Sequence, residues 1–257
     1  MSNLDVWKQF TQARIGLRRS GGSISTKEML QFRLDHARAK DAVVKEPSWD
    51  EITKQCKDLT SQWNLQTLFV KSQVTSKEEY LLRPDLGRRL TNEAKHSLLP
   101  FLSQTDLSII CMDGLSARAI DENLIPFLKL LLVEIKKTTI SLSPLVLVRW
   151  GRVALGDEIA SGLGAKMSLV IIGERPGLSS SDSLGLYLTY APKIGNTDEV
   201  RNCISNVRPM GLPLSFAVQK TLYLIQESFR QQRSGVLLKD QMPEAPKEIV
   251  SEKTKLL

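Results

Sequence analysis

The stretch Val148–Leu178, "VRWGRVALGDEIASGLGAKMSLVIIGERPGL", decides how the chain is read. It opens on the end of the apolar run Pro144–Val148 and closes on a second run, Ser168–Gly173. Between them Leu155, Ile159 and Leu163 recur every fourth residue, which puts one apolar face on a helix over Ala154–Leu163. Strand, helix and strand of this kind form a parallel unit, because near-continuous apolar strands need cover on both faces. Gly162 and Gly164 stand at the helix end, where glycine caps the last turn.

The same alternation extends outward. Leu107–Met112 reads as a strand stopped by Asp113-Gly114, and residues 116–137 as a helical stretch with a break near Asn123. Leu184–Tyr190 is a further strand of the parallel sheet, and a helix over residues 213–233 closes the domain, with Pro213 in its first turn and Gly235 past its end. Upstream, Ser25-Thr26-Lys27-Glu28 has capping-box spacing and starts a helix that stops before Pro47. A second helix runs from Trp49 to Trp63, "TLFVKSQV" is a short strand, and Pro84–Gly87 turns into another helix. The expected fold class is α/β: a Rossmann-like parallel sheet domain over residues 101–235, preceded by a mainly helical N-terminal region over 1–100. Residues 236–257, with Pro243, Pro246 and mixed charge, read as a flexible tail.

Composition narrows the function classes. Apolar and charged fractions of 42% and 25% are those of an ordinary soluble domain. The longest apolar run, near Leu124–Ile135, is broken by Pro126, Lys129 and Glu134, so no membrane span is expected. The first residues lack the apolar core of a secretory signal, and the expectation is a cytoplasmic protein. Three scattered cysteines, Cys56, Cys111 and Cys203, fit neither a disulfide framework nor a zinc site, and His36 and His96 leave few candidates for a metal or a triad. The net charge of +7 gathers at Arg14, Arg18 and Arg19 and again at Arg83, Arg88 and Arg89. Aromatic residues, at 6%, are not interleaved with these groups as stacking platforms would be, so solvated faces or an acidic partner surface explain the charge better than nucleic acid.

In an open α/β sheet, ligands sit beyond the carboxyl ends of the strands. Three turns occupy that edge: Asp113–Ser116, Gly151–Val153 and Gly173–Gly177. None carries G-x-G-x-x-G or a P-loop, and no nucleophile elbow is present. Gly-Glu-Arg-Pro-Gly is the most informative. Gly173 and Gly177 permit close backbone approach to a ligand, and Glu174 offers a carboxylate acceptor for amide NH2 groups. A plain structural turn, with Glu174 and Arg175 paired to neighbours, accounts for the same residues. Asp113, Asp157 and Glu174 are also available as acid–base carboxylates, though nothing in their spacing fixes their mutual distance.

Taken together, "FRLDHARAKDAV", "YLLRPDLGRRL", "DGLSARAI", "GRVALGDEI", "GLGAK", "GERPGL" and "CISNVRP" occur in the order seen in the light chain of ethanolamine ammonia-lyase, and the chain resembles that family from roughly Ile24 to Gln232. The resemblance implies a small subunit of a carbon–nitrogen lyase that converts ethanolamine to acetaldehyde and ammonia by a radical route. It implies adenosylcobalamin, bound base-on, held against a catalytic large subunit that is a TIM barrel, in a hetero-oligomer without nucleic acid or membrane partners. No independent activity is expected of this chain. The family's cobalamin contacts carry over onto Val153 of "GRV", Glu174 of "GERPG" and Cys203 of "CISN". A corrin ring is a broad apolar disc rimmed by carboxamides, so apolar contact and a few acceptors suit it. The D-x-H-x-x-G signature of cobalamin domains that supply a histidine to cobalt is absent, in keeping with a family that keeps dimethylbenzimidazole on the metal. Several relatives carry a long N-terminal extension linked to bacterial microcompartments. Here the family-like region starts almost at once, so plain cytoplasm is expected, with a microcompartment as the alternative. A free-standing α/β enzyme using a nucleotide is the rival reading.

Overall fold

The computed structural model describes residues 6–7, 14–17 and 19–242. Arg18 of the first basic cluster and the tail beyond Met242 lie outside the described residues. A short hairpin, Arg19–Ser20 with Ser23–Ile24, leads into α1 (Thr26–Val44), whose first turn is capped as the sequence predicts: the Glu28 N–H donates to Ser25 Oγ at 3.4 Å. α2 (Trp49–Ser61), β1 (Thr67–Lys71), α3 (Lys77–Leu82) and α4 (Asn92–Leu98) follow. β2 (Thr105–Met112), α5 (117–135), β3 (Leu145–Arg149), α6 (Leu155–Gly162) and β4 (Ala165–Gly173) form the centre. β5 (Leu184–Tyr190), β6 (Arg201–Val207) and α7 (Leu214–Gln231) complete the chain, and Leu238 is still buried beyond α7.

All six strands form one sheet in the order β1-β3-β2-β4-β5-β6. The first four are mutually parallel; β5 is antiparallel to β4, and β6 antiparallel to β5. The expectation of a wholly parallel sheet is therefore corrected. The segment between Gly173 and Leu184 holds no helix, so the chain cannot cross over and instead returns beside β4 in the opposite sense. β6 is a strand that the sequence reading did not assign. β1, from the first hundred residues, pairs along β3 over Thr67–Lys71.

Successive strand residues point to opposite faces and build two cores. On one face Ile109, Cys111, Leu147, Leu169 and Leu186 pack with α2, α5 and α7. On the other, Ile110, Met112, Val146, Val148 and Val170 pack with α4 and α6. The break expected near Asn123 is instead a widened π turn, Ile120–Leu124, through which α5 continues. Pro126 explains it: proline has no N–H and its ring crowds the carbonyl four residues back, which a wider turn relieves.

Candidate functional site

The loops after β2, β3 and β4 meet at the carboxyl edge of the sheet. Asp113 organises them. Its fully buried carboxylate accepts from the backbone N–H groups of Gly114 (2.9 Å), Trp150 (2.9 Å) and Gly151 (3.2 Å), binding the β2 turn to the β3 turn. Trp150 is held in the left-handed region at φ 59°, a strained state for a bulky residue. The Asp113 bond to its N–H and the Ser72 hydroxyl donating to its carbonyl at 2.8 Å keep it there. Burial pushes the Asp113 carboxyl up to about 6, against the lowering pull of the Trp150 N–H and the nearby Lys77. Leu115 N–H donates to Gly173 O at 3.0 Å, which joins the third turn to the first.

Beside these turns lies an open cleft of about 430 Å³, lined by Val153, Glu174, Arg152 and Tyr187 among others. Val153 and Tyr187 lean on the second core from its edge. Glu174 lies across β5: its Oε2 accepts from Ser183 Oγ at 2.7 Å and from the Asn206 N–H at 3.1 Å. Gly185 makes room, since a Cβ there would stand 3.1 Å from Glu174 Cγ. Among the described residues both side-chain hydrogen bonds of Glu174 fall on Oε2, leaving Oε1 without one. Cys203 is exposed and does not line the cleft, but it sits opposite Tyr187 in the β5–β6 register. Although the residue is exposed as a whole, partial desolvation of its sulfur raises the Cys203 thiol above its ordinary range, so it is not an activated thiolate.

The structure thus brings Val153 and Glu174 into one cleft and sets Cys203 at its border through Tyr187. It also bears on two readings. Gly173 lines the cleft, and the close approach of the Asp113 and Ser116 carbonyls in its own chain by itself leaves no room for a Cβ there. Asp157 does not join Glu174 as an acid–base partner: it is buried 2.7 Å from Arg201 in an ion pair that links α6 to β6. Asp113 is likewise committed to the turn N–H groups.

A sequence profile of the ethanolamine ammonia-lyase light chain matches residues 2–239. The chain belongs to that family. It is 45% identical over 238 residues to the ethanolamine ammonia-lyase small subunit of Pseudomonas fluorescens, covering 91% of this chain and 85% of that protein. For the small subunit of Azotobacter vinelandii the identity is 46% over 244 residues, with 91% and 88% covered. The Pseudomonas aeruginosa small subunit is 47% identical over 238 residues, with 91% and 86% covered. For a light chain of this lyase family, Tyr187 is the site feature that sequence reasoning missed. Its signal was present: in "LGLYLTY" the leucines at 184, 186 and 188 mark one face, which places Tyr187 on the other. Among the described residues no helix is long and apolar enough to cross a membrane.

Proposed function

We propose that this chain is the small subunit of an adenosylcobalamin-dependent ethanolamine ammonia-lyase, in which it lies against a TIM-barrel large subunit and helps to hold base-on cobalamin. Family membership supplies the activity. The observation that carries the cofactor reading is Asp113. The turn N–H groups that would cradle a phosphate in a nucleotide-binding fold are already occupied by its carboxylate. That disfavours a free-standing nucleotide enzyme. What remains open suits a corrin: the Val153 side chain, the Tyr187 ring, the exposed Cys203 sulfur, and one carboxylate oxygen of Glu174 without an internal partner. When bound, the cofactor supplies the radical chemistry. Within this chain Val153 and Cys203 offer apolar and polarizable contact, and Glu174 Oε1 accepts from a peripheral carboxamide. Ser183 and the Asn206 N–H orient that carboxylate through its other oxygen.

The crossovers and strand order of β1 to β4 support a Rossmann-like reading, because the chain reverses direction at β2, where such sheets bind ligands. A partner is supported by α1, which buries only Ala42 and exposes Met29, Leu30, Phe32, Leu34 and Val44. A cytoplasmic site, with a microcompartment as alternative, belongs to the same reading.

The test is cobalamin titration of the complex assembled with the large subunit. Glu174→Ala is expected to weaken binding by roughly tenfold or more, the worth of one charge-assisted hydrogen bond. Glu174→Gln retains an acceptor and is expected to cost less. Because Glu174 also ties the end of β4 to Ser183 and Asn206, the alanine variant is expected to lose stability too, so affinity and unfolding are measured together. Unchanged affinity in a destabilised Glu174→Ala complex assigns the residue to the turn alone. Release of acetaldehyde by the isolated chain would defeat the subunit reading.

A further inference from the structure

A second cleft, of about 620 Å³, adjoins the first and shares Arg152, Val153 and Tyr187 with it. Its wall carries Arg88 and Arg89. Three acids also line it, and two of them are paired with a cation from outside the cleft that has, among the described residues, no other carboxylate. Asp85 pairs with Arg83 at 2.7 Å and Glu158 with Lys95 at 2.9 Å. The exposed Asp198 only shares Arg201, at 3.4 Å, with the buried Asp157, so it offsets one of the three arginines of the cleft. Among the described residues Arg88, Arg89 and Arg152 have no carboxylate partner. The cleft therefore holds an excess of unpaired guanidinium beside the corrin-facing residues.

The loop that carries these arginines is fixed. The Arg152 N–H donates to Gly87 O at 2.8 Å, and the Leu90 N–H donates to the buried Glu158 Oε2 at 2.9 Å. Gly87 allows the approach, since a Cβ there would lie 2.9 Å from Arg152 Cγ. Arg152 itself is braced, donating to Tyr80 O at 2.8 Å with its guanidinium 4.1 Å over the Tyr80 ring. Arg88 and Arg89 are thus exposed charges on an anchored turn, next to a braced third charge. Arginine's planar fork matches the oxygens of a phosphate ester.

We propose that Arg88 and Arg89, with Arg152 beside them, bind the phosphodiester of the nucleotide arm of base-on cobalamin. This rests on the cobalamin reading above and adds a subsite to it. A corrin held at Val153, Glu174 and Cys203 carries one anionic group on a flexible arm, and the adjoining cleft supplies the complementary charge.

The experiment compares two corrinoids on the complex of the full chain with its large subunit. Cyanocobalamin carries the phosphodiester; dicyanocobinamide has the corrin without the nucleotide arm. The Arg88→Gln, Arg89→Gln double variant is expected to lose roughly tenfold to a hundredfold in cyanocobalamin affinity, with cobinamide binding unchanged. The loss of cobalamin affinity with added salt is expected to flatten in that variant and to return in Arg88→Lys, Arg89→Lys. Equal losses for both corrinoids, or no loss, overturn the assignment. So does failure of the double variant to assemble, which would make these arginines a contact for an acidic partner surface. Tight binding of inorganic phosphate to the corrinoid-free complex, abolished in the double variant, would make the cleft a free-anion site instead. Glu174→Ala is expected to weaken both corrinoids. If it weakens neither while the arginine variant still discriminates, the corrin contact fails and the phosphodiester site stands.

Discussion

Strands β2 to β4 lie between helices on both faces, whereas β5 and β6 are backed by α7 on one face and leave Tyr187 half-buried and Cys203 exposed on the other. The difference is written in the side chains. Leu145, Val146, Leu147 and Val148 are all fully buried, so β3 has no face to offer a ligand. In β5 the leucines at 184, 186 and 188 are fully buried, and of the residues between them Gly185 is buried while Tyr187 stays half-open. An apolar run without alternation signals a strand enclosed by its own helices, while alternation signals a face left for something else. The proposed cofactor contacts collect where these two halves join.

That junction is held by the Asp157–Arg201 pair, each side chain 2% exposed. Arg201 also donates to Thr189 Oγ1 at 3.1 Å, so α6, β5 and β6 share one guanidinium. Breaking the pair is the largest effect expected. Asp157→Ala strands a buried charge and is expected to cost about 3–5 kcal/mol, where replacing both partners with apolar residues would cost far less. Urea unfolding of the two variants reads the difference. A loss below about 1 kcal/mol in Asp157→Ala would mean that the antiparallel strands hold to the sheet without it.

Asp113 gives the next effect and belongs to the enclosed half. Its folded carboxyl sits at about 6, above the usual unfolded value of roughly 3.9. Between those values the folded chain binds more protons than the unfolded one. This contribution to stability is full below the unfolded value and is lost as pH rises through about 6. Asp113→Asn is expected to remove that slope and to cost about 1–3 kcal/mol at neutral pH, because one of three backbone donors loses its acceptor. Unfolding free energies measured from pH 4 to pH 8 (about the window that matters) test it, and an unchanged slope in the variant would assign the titration elsewhere.

How far the sequence could be read follows the same division. The cores of β2, β3 and β4 were legible because four or more adjacent apolar residues leave few alternatives. So were the α1 cap and the glycine at the end of α6. β6 was not, because "RNCISNV" has only Ile204 and Val207 facing the core, and its polar positions look like loop. The sense of β5 was not legible either, since direction depends on whether a helix intervenes and not on the strand itself. Glu174 could be nominated from its turn, but its bond to the Asn206 N–H requires β6 to be placed first. The same holds for the pairing of Tyr187 with Cys203. Asp113 and Asp157 looked like chemistry because sequence shows a carboxylate without showing its burial.

The smallest effects come from one substitution made in both halves. Cys111 is fully buried between Leu147 and Ile171 on neighbouring strands, and Cys111→Ser puts a hydroxyl into that apolar layer. A cost of about 1–3 kcal/mol is expected. Cys203→Ser changes an exposed position, and its effect on stability is expected to stay within about 0.5 kcal/mol. Its effect on corrinoid affinity is expected to be a loss of less than about tenfold, since a polarizable sulfur contact is weaker than a charge-assisted hydrogen bond. Alkylation supplies an independent readout. A thiol reagent is expected to label the exposed Cys203 ahead of the buried Cys56 and Cys111, and slowly at neutral pH because partial desolvation of its sulfur raises its thiol. Cobalamin bound to the assembled complex is expected to protect it. If Cys203 labels at the same rate with and without cobalamin, the open face of β6 is not where the cofactor rests, and the contact shrinks to Val153 and Glu174 on the side of the enclosed strands.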